Sequence, residues 1–137
     1  MARCDIEELD AIVNRFFKKV SLDREAEVER PKFRLTEYCN PQEDIWKRYS
    51  GWAGVYYLYS DDGIVHYVGQ GISQYGLGYR VLENAAKFRL IEKPAMNVGL
   101  IFLAEPDLPF ALALEQFLIR DLSPRCNKLG KRKVGSK

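Results

Sequence analysis

Apolar residues recur at helical spacing at the start of the chain. They lie on one face of a helix over residues 5–20 and are Ile6, Leu9, Ile12, Val13, Phe16 and Val20. The charged stretch 21–36 is interrupted by Pro31, and we expect a solvated helix extension or a loop there. Residues 40–51 carry signals for a second helix, which are Asn40 at the N-cap, Pro41 and Glu43 in the first turn, and Gly51 at the end.

The pattern changes to period two after residue 52. Ala53–Ser60 and Ile64–Val68 are rich in Val, Ile and Tyr, and the Asp-Gly between them predicts a β-hairpin. Asn97–Leu103 is almost entirely apolar and predicts a third strand, central or covered on both faces. Helical spacing returns over 77–90 and again from Pro109 to the Ser-Pro pair at 123–124.

The order of these elements predicts an α+β fold. Helices come first, followed by a β-β-α-β-α core, so we expect a small three-stranded, mainly antiparallel sheet flanked by helices. A chain of 137 residues is long enough for one such core. We divide it into an N-terminal helical extension (1–50), a core domain (51–128) and a basic tail (129–137).

Composition places few limits on the class of protein. The chain is 47% hydrophobic and 29% charged, which is ordinary for a soluble globular domain. No run approaches the roughly 20 apolar residues of a membrane span, and the N-terminus lacks the apolar segment of a leader peptide. Cys4, Cys39 and Cys126 are isolated, so neither a disulfide frame nor a zinc site is expected. We therefore expect a cytoplasmic protein that binds no membrane.

Each arm of the hairpin carries a tyrosine near a glycine, as Gly-Val-Tyr at 54–56 and Tyr-Val-Gly at 67–69. If the loop has two or four residues, Tyr56 and Tyr67 lie on the same face of the sheet, whereas a three-residue loop with a bulge could upset this parity. By alternation His66 should face away from Tyr67 and be structural or peripheral. A cross-strand aromatic pair would explain the tyrosines as packing. The two glycines favour a role beyond packing, because a strand glycine often marks the close approach of another backbone or a ligand.

Glu115 falls on the apolar face of the last predicted helix. Its same-face neighbours are Ala111, Leu112, Leu118 and Ile119, and the wetter side carries Gln116 and Arg120. A carboxylate buried without a counter-charge costs several kcal/mol. The residue is therefore either a glutamate at the rim of the core, reaching for water or Arg80, or a ligand for a hard divalent cation such as Mg²⁺, which can use one carboxylate together with waters and substrate phosphate.

Two further groups could bind phosphate. Arg80, Asn84 and Lys87 form a polar stripe that is either a solvated face or, through Arg80 at the sheet edge, a phosphate contact. The last ten residues contain no acid and carry Lys128, Lys131, Arg132, Lys133 and Lys137. This tail is either a frayed terminus or an arm for phosphates.

Taken together, these residues resemble the GIY-YIG nuclease family. The family's two tripeptides are matched at 54–56 and 67–69, its helical arginine by Arg80 and its later glutamate by Glu115. The closing Pro-x-x-Asn pattern is residues 124–127. Each tripeptide is a weak signal, but five landmarks in the right order over residues 51–128 are fairly specific. Gln70 departs from the family, in which the position after the second tripeptide is often basic or small and polar.

The resemblance implies a divalent-metal-dependent endodeoxyribonuclease that hydrolyses phosphodiester bonds in DNA. Glu115 would hold one Mg²⁺ or Mn²⁺, Arg80 would neutralise the phosphate, and Tyr56 and Tyr67 jointly would orient or deprotonate the attacking water. The substrate contacts assigned with them are Gly69, Asn84, Lys87, Asn127, Lys128, Lys131 and Arg132. A homodimer would suit double-strand cleavage.

Two other functions fit the sequence. One is a DNA-binding module that keeps the fold but no longer cuts, although Glu115 and Arg80 speak against it. The other is a protein-interaction domain in which the hairpin tyrosines and Trp46 or Trp52 form the contact surface.

Overall fold

The protein contains a four-stranded antiparallel sheet covered by helices on both faces. The computed structural model describes residues 4–20, 27–31, 34–40, 42, 45–49, 51–71, 76–93, 95–104 and 107–127. The strands, in the spatial order β1-β4-β2-β3, are β1 (Glu27–Glu29), β2 (Gly54–Ser60), β3 (Val65–Gly71) and β4 (Met96–Phe102). The helices are α1 (Ile6–Lys19), α2 (Leu35–Tyr38), α3 (Gly76–Lys87) and α4 (Phe110–Leu122), with 3₁₀ helices at Ile45–Tyr49 and Leu90–Glu92.

The α+β class is confirmed, but the predicted strand number was too small. β1 pairs with β4 antiparallel, with Val28 opposite Ile101, inside the segment 21–36 for which we expected a helix extension or a loop. A three-residue Glu-Val-Glu strand has only one apolar position and therefore no period-two signal. β1 is extended because it pairs with β4, which would otherwise expose an apolar edge.

β4 occupies the central position that its composition predicted. It pairs with β1 on one side and with β2 along its whole length on the other. Val98 and Leu100 belong to one core cluster and Ile101 to the other, and all three are fully buried. A strand covered on both faces needs apolar residues at consecutive positions, which explains why β4 shows no alternation.

The helix predicted over 40–51 is not present as one element. A 3₁₀ helix occupies Ile45–Tyr49, and α2 precedes it. Asn40 does not cap a following α-helix; its Oδ1 accepts a hydrogen bond from the Gln42 N–H at 2.9 Å, as in a turn. Pro41 and Glu43 lie outside the described residues.

Two hydrophobic clusters lie on the two faces of the sheet. α1 and α4 cover one face, where they bury Val55, Tyr57, Val68 and Ile101 of the strands. α2, α3 and the 3₁₀ helix at Ile45–Tyr49 cover the other, where the buried strand residues include Tyr56, Leu58, Val98 and Leu100. Helices from the first 49 residues thus pack against the sheet on both faces and belong to the same two clusters as α3 and α4. In the part of the chain that the structure describes, no helix is long and apolar enough to cross a membrane.

Candidate active site

A bulge in the hairpin decides which face each tyrosine takes. The Ser60 N–H donates to the Ile64 carbonyl at 3.0 Å and the Gly63 N–H to the Ser60 carbonyl at 2.8 Å, so the loop has three residues. Continued without change, this register would place Tyr67 opposite Tyr57. The register shifts between Leu58 and Tyr59, so that Leu58 faces Tyr67 instead.

Because of this bulge, Tyr56 and Tyr67 lie on the same face. Tyr56 is opposite Gly69, two residues along from the Leu58–Tyr67 pair and therefore on the same face, and the two tyrosine ring centroids are 6.0 Å apart. The predicted common face is confirmed, although the loop has three residues and the bulge restores the parity.

His66 is the additional residue of the bulge. Strict alternation does not hold across a bulge, so the orientation that we expected for His66 does not follow from its place in the strand. Its Nε2 lies 2.9 Å from Ser60 Oγ, and burial lowers the pKa of the imidazole. His66 therefore contributes to the geometry of β3, the strand that carries Tyr67.

Gly69 provides space for the Tyr56 ring. A Cβ at Gly69 would lie 2.5 Å from both Cζ and the hydroxyl oxygen of Tyr56. The same arrangement recurs on the other face, where a Cβ at Gly99 would lie 2.0 Å from Cζ of Tyr57. At Gly54, with φ at +149°, a Cβ would lie 2.0 Å from the Ile101 carbonyl oxygen. The close approaches inferred from the hairpin glycines are thus made to other parts of this protein.

The Tyr56 hydroxyl is held inside the protein at both its donor and acceptor sites. It donates to the Arg80 carbonyl at 3.2 Å and accepts from Asn84 Nδ2 at 2.6 Å. Burial raises the pKa of this phenol far above its ordinary value, and the neighbouring Tyr67 raises it further. Tyr56 is therefore a neutral phenol with no access to solvent.

Asn84 does not belong to a solvated stripe. Only 6% of its surface is exposed, and its amide also donates to the Arg80 carbonyl at 3.1 Å. Lys87, one turn further along α3, is exposed, and its Nζ lies 5.3 Å from the centroid of the Phe88 ring. Of the predicted stripe, Asn84 is buried and supports Tyr56, whereas Arg80 and Lys87 reach the surface.

Tyr67 differs from Tyr56 in its access to solvent. It is half-buried, with its ring between Tyr56 and Phe88, whose centroid is 4.9 Å away. Burial is the main cause of its raised pKa. The Glu115 carboxylate also raises it, whereas the Arg80 guanidinium lowers it. The hydroxyl therefore lies in the electrostatic field of both predicted charged site residues.

Arg80 reaches the edge of the sheet, as the sequence suggested. Its Nε donates to the Gln70 carbonyl of β3 at 3.5 Å, and its Nη1 pairs with Glu83 at 2.7 Å. Both members of that ion pair are more than two-fifths exposed. Such exposed pairs contribute at most about 1 kcal/mol, so the guanidinium can exchange Glu83 for another anion at small cost.

Glu115 is a half-buried carboxylate on α4. Burial raises its pKa, while Gln116 and Arg80 act in the opposite direction. Gln116 Nε2 donates to it at 3.3 Å. Among the described residues, no cation lies within ion-pair distance of this carboxylate. One predicted neighbour was wrong: Leu112 is 53% exposed, and the buried stripe of α4 is Ala111, Leu114, Leu118 and Leu122.

Asn127 closes the free edge of β3. Its Oδ1 accepts from the Val68 N–H and its Nδ2 donates to the Val68 carbonyl, both at 2.8 Å. The side-chain amide thus replaces the strand that β3 lacks on this side. Because Val68 lies between Tyr67 and Gly69, Asn127 fixes the backbone that positions the site tyrosine.

A residue that the sequence did not assign to the site is Gln70. It lies opposite Val55, which places it on the α4 side of the sheet. Its Oε1 is buried without a hydrogen-bond partner among the described atoms. The only signal in the sequence was its departure from the family pattern, because a strand glutamine is otherwise unremarkable.

The described residues offer few side-chain donors for a metal ion. The described residues contain no group of three or more His, Cys, Asp or Glu side chains that could hold a metal ion. Glu115 and the unpartnered Gln70 Oε1 are both oxygen donors on the α4 side of β3. Mg²⁺ often binds through one or two protein oxygens and completes its shell with water and substrate phosphate.

The structure thus brings Tyr67, Arg80 and Glu115 into one electrostatic neighbourhood at the β3 edge. Tyr56, Gly69, Asn84 and Asn127 support them from inside the fold. The predicted contacts Lys128, Lys131 and Arg132 lie outside the described residues. No protein-family model matches the chain, and searches of curated proteins and of solved structures found no significant match.

Proposed function

We propose that the protein is a divalent-metal-dependent DNA endonuclease of the GIY-YIG type. The observation that carries the proposal is Glu115, a half-buried carboxylate with a raised pKa and no ion-pair partner among the described residues. Its charge raises the pKa of Tyr67, and the charge of Arg80 lowers the pKa of Glu115 itself. A carboxylate is kept in such a place at a cost to stability. Binding of a divalent cation would offset that cost.

Tyr67 is assigned to the attacking water. Tyr56, which we expected to share this role, is instead a positioning residue, because its hydroxyl already donates to the Arg80 carbonyl and accepts from Asn84. Tyr67 is accessible, but its pKa is raised in the free protein. A neutral phenol can orient the water but is not a base. The Tyr67 hydroxyl accepts a proton only as the phenolate, which a nearby cation would have to stabilise.

Arg80 is assigned to the scissile phosphate. Its guanidinium lies at the β3 edge, and its exposed pair with Glu83 holds the fork in place until an anion replaces it. A bidentate arginine suits the negative charge that develops on phosphate oxygens during displacement.

Glu115, with Gln70 Oε1, would hold the Mg²⁺ or Mn²⁺ ion. When bound, the ion neutralises phosphate charge and stabilises the leaving oxygen. Lys87 and the basic tail would contact phosphates away from the scissile bond. Gly69, Asn84 and Asn127 act by shaping the site, since each is bonded to or packed against Tyr56 or Val68.

Cleavage of supercoiled plasmid distinguishes the three candidate functions. We expect nicked or linear product from the wild type with Mg²⁺ or Mn²⁺ and none from Glu115→Ala. A protein that retards DNA but cleaves none, with or without metal, would indicate the silent binding module. A protein that binds no DNA, and whose melting temperature is unchanged by divalent metal, would indicate the protein-interaction domain.

A further inference from the structure

A rigid aromatic residue is exposed beside the candidate site. Trp52 is 51% exposed, yet its backbone is held on both sides, since its N–H donates to the Tyr49 carbonyl at 3.1 Å and its carbonyl accepts from the Leu77 N–H at 2.9 Å. Its ring contacts Phe102 at a centroid distance of 4.9 Å. Phe102 is stacked on Tyr49 at 6.3 Å, and Tyr49 on the buried Tyr38 at 6.2 Å. The indole is thus backed by a row of rings anchored in the core.

Two more aromatic rings lie on the two elements to which the Trp52 backbone is bonded, which are the 3₁₀ helix at Ile45–Tyr49 and α3. Tyr79 is 41% exposed, and its ring meets Trp46 edge-on at 6.4 Å. Leu77, which binds the Trp52 carbonyl, lies in the same helical turn as Tyr79. We call Trp46, Trp52 and Tyr79 the aromatic surface.

The aromatic surface is connected to the candidate active site through β2 and α3. Trp52 lies two residues before Gly54, the first residue of β2, the strand that carries Tyr56. Tyr79 directly precedes Arg80 on α3. Trp46, Tyr49 and Phe102 pack into the same core cluster as Tyr56 and Tyr67, so they lie on the same face of the sheet.

The basic side chains beside Trp46 favour a polyanion as the ligand. Lys47 and Arg48 follow Trp46 on the 3₁₀ helix, and both are exposed. Lys47 Nζ lies 5.9 Å from the Trp46 ring centroid. Rigid aromatic faces interleaved with basic side chains suit a nucleic-acid strand whose bases are free to stack, because every base has a π-face and every linkage a charge. An unpaired base therefore fits this surface better than an apolar protein partner.

We propose that the aromatic surface stacks an unpaired base of the DNA substrate, with Trp52 as the principal contact. The proposal rests on the proposed nuclease function and narrows its substrate to DNA with unpaired or displaced bases near the scissile phosphate. A base in a continuous duplex is already stacked on its neighbours, so a fully paired substrate cannot use Trp52 in this way.

The test compares two duplexes that differ by one unpaired base. Binding is measured without divalent metal, so that no DNA is cut, for the wild type, Trp52→Ala, Trp52→Phe and Leu112→Ala. Leu112 is a matched control because it is 53% exposed but lies on α4. Melting temperatures establish that each variant is folded. In a Trp46→Phe background Trp52 is the only tryptophan, so its emission reports stacking directly.

The wild type should bind the duplex with the unpaired base more tightly and lose Trp52 emission as it does so. Trp52→Ala should weaken that binding by about 5- to 150-fold and leave binding of the paired duplex unchanged. Trp52→Phe should be intermediate, and Leu112→Ala should resemble the wild type. Equal binding of the two duplexes by the wild type would overturn the proposal, as would an equal loss for both in Trp52→Ala. Self-association that Trp52→Ala abolishes, with no emission change on DNA, would assign the surface to a protein interface. Failure to bind either duplex would overturn the nuclease function as well.

Discussion

Gly69→Ala is the sharpest perturbation of the site scaffold. The new methyl carbon would lie 2.5 Å from Tyr56 Cζ, well inside van der Waals contact. The ring cannot move aside easily, because it is fully buried and its hydroxyl is bonded to both Arg80 and Asn84. Overpacking of this kind costs about 1 to 3 kcal/mol. For a chain of 137 residues this corresponds to a fall in melting temperature of about 3 to 10 °C.

The assay is thermal unfolding of Gly69→Ala beside a matched control, Gly51→Ala. A Cβ at Gly51 meets nothing within 4 Å, and its restriction of the unfolded chain should leave stability unchanged or slightly higher. Our explanation also predicts that Gly69→Ala costs little in a Tyr56→Ala background, because the clash is then absent. If Gly69→Ala melts at the temperature of Gly51→Ala, the glycine does not serve the packing of Tyr56.

Four further predictions concern the site and its supports. Tyr67→Phe should lower the cleavage rate by about 10²- to 10⁴-fold with a normal melting temperature, whereas Tyr56→Phe should mainly lower stability, by about 1 kcal/mol; equal rates for the two would contradict the division of roles. Asn127→Ala should lower stability by about 1 to 3 kcal/mol and speed amide exchange at the strand edge, and unchanged exchange would refute the edge-closing role. The pKa of Glu115 is raised from its ordinary 4.5, so the stability linked to its proton is complete below that pH and is lost as pH rises through the raised value; Glu115→Gln should therefore melt above the wild type at neutral pH, and a constant difference down to pH 3 would contradict this. Deleting 128–137 should reduce the slope of log K against log[salt] by about 0.9 for each phosphate it contacts, and an unchanged slope would exclude the tail from binding.

The sequence predicted α1 and most of the core, but little of the segment between α1 and the hairpin. The hairpin, β4, α3 and α4 follow from apolar periodicity and turn residues, since each element buries a regular face. β1 and the 3₁₀ helix at Ile45–Tyr49 do not, because their conformation depends on partners distant in the chain. A three-residue strand has no period of its own, and the capping residues at 40–51 are as compatible with a turn as with a helix.

The residue types of the candidate site could be predicted from the sequence, but the role of each residue could not. Alternation alone could not place Tyr67 on the Tyr56 face, because the result depends on a bulge at His66 that no residue type specifies. Asn84 looked like a surface residue because helical spacing does not show which side of α3 meets Tyr56. Gln70 was not assigned to the site, because the burial of its Oε1 depends on how the α4 side of the sheet is packed.

We propose Glu115 as the metal-binding carboxylate of a nuclease, and plasmid cleavage by Glu115→Gln distinguishes that role from a structural one. The variant keeps the size of the side chain and removes only its charge. Asp121→Asn is the matched control, because it makes the same change on the same helix at a carboxylate that pairs with Arg120. We predict that the wild type and Asp121→Asn nick supercoiled plasmid with Mg²⁺ or Mn²⁺. Glu115→Gln, although folded, should be slower by about 100-fold or more. Cleavage by folded Glu115→Gln at the wild-type rate would show that the Glu115 carboxylate is not needed for catalysis.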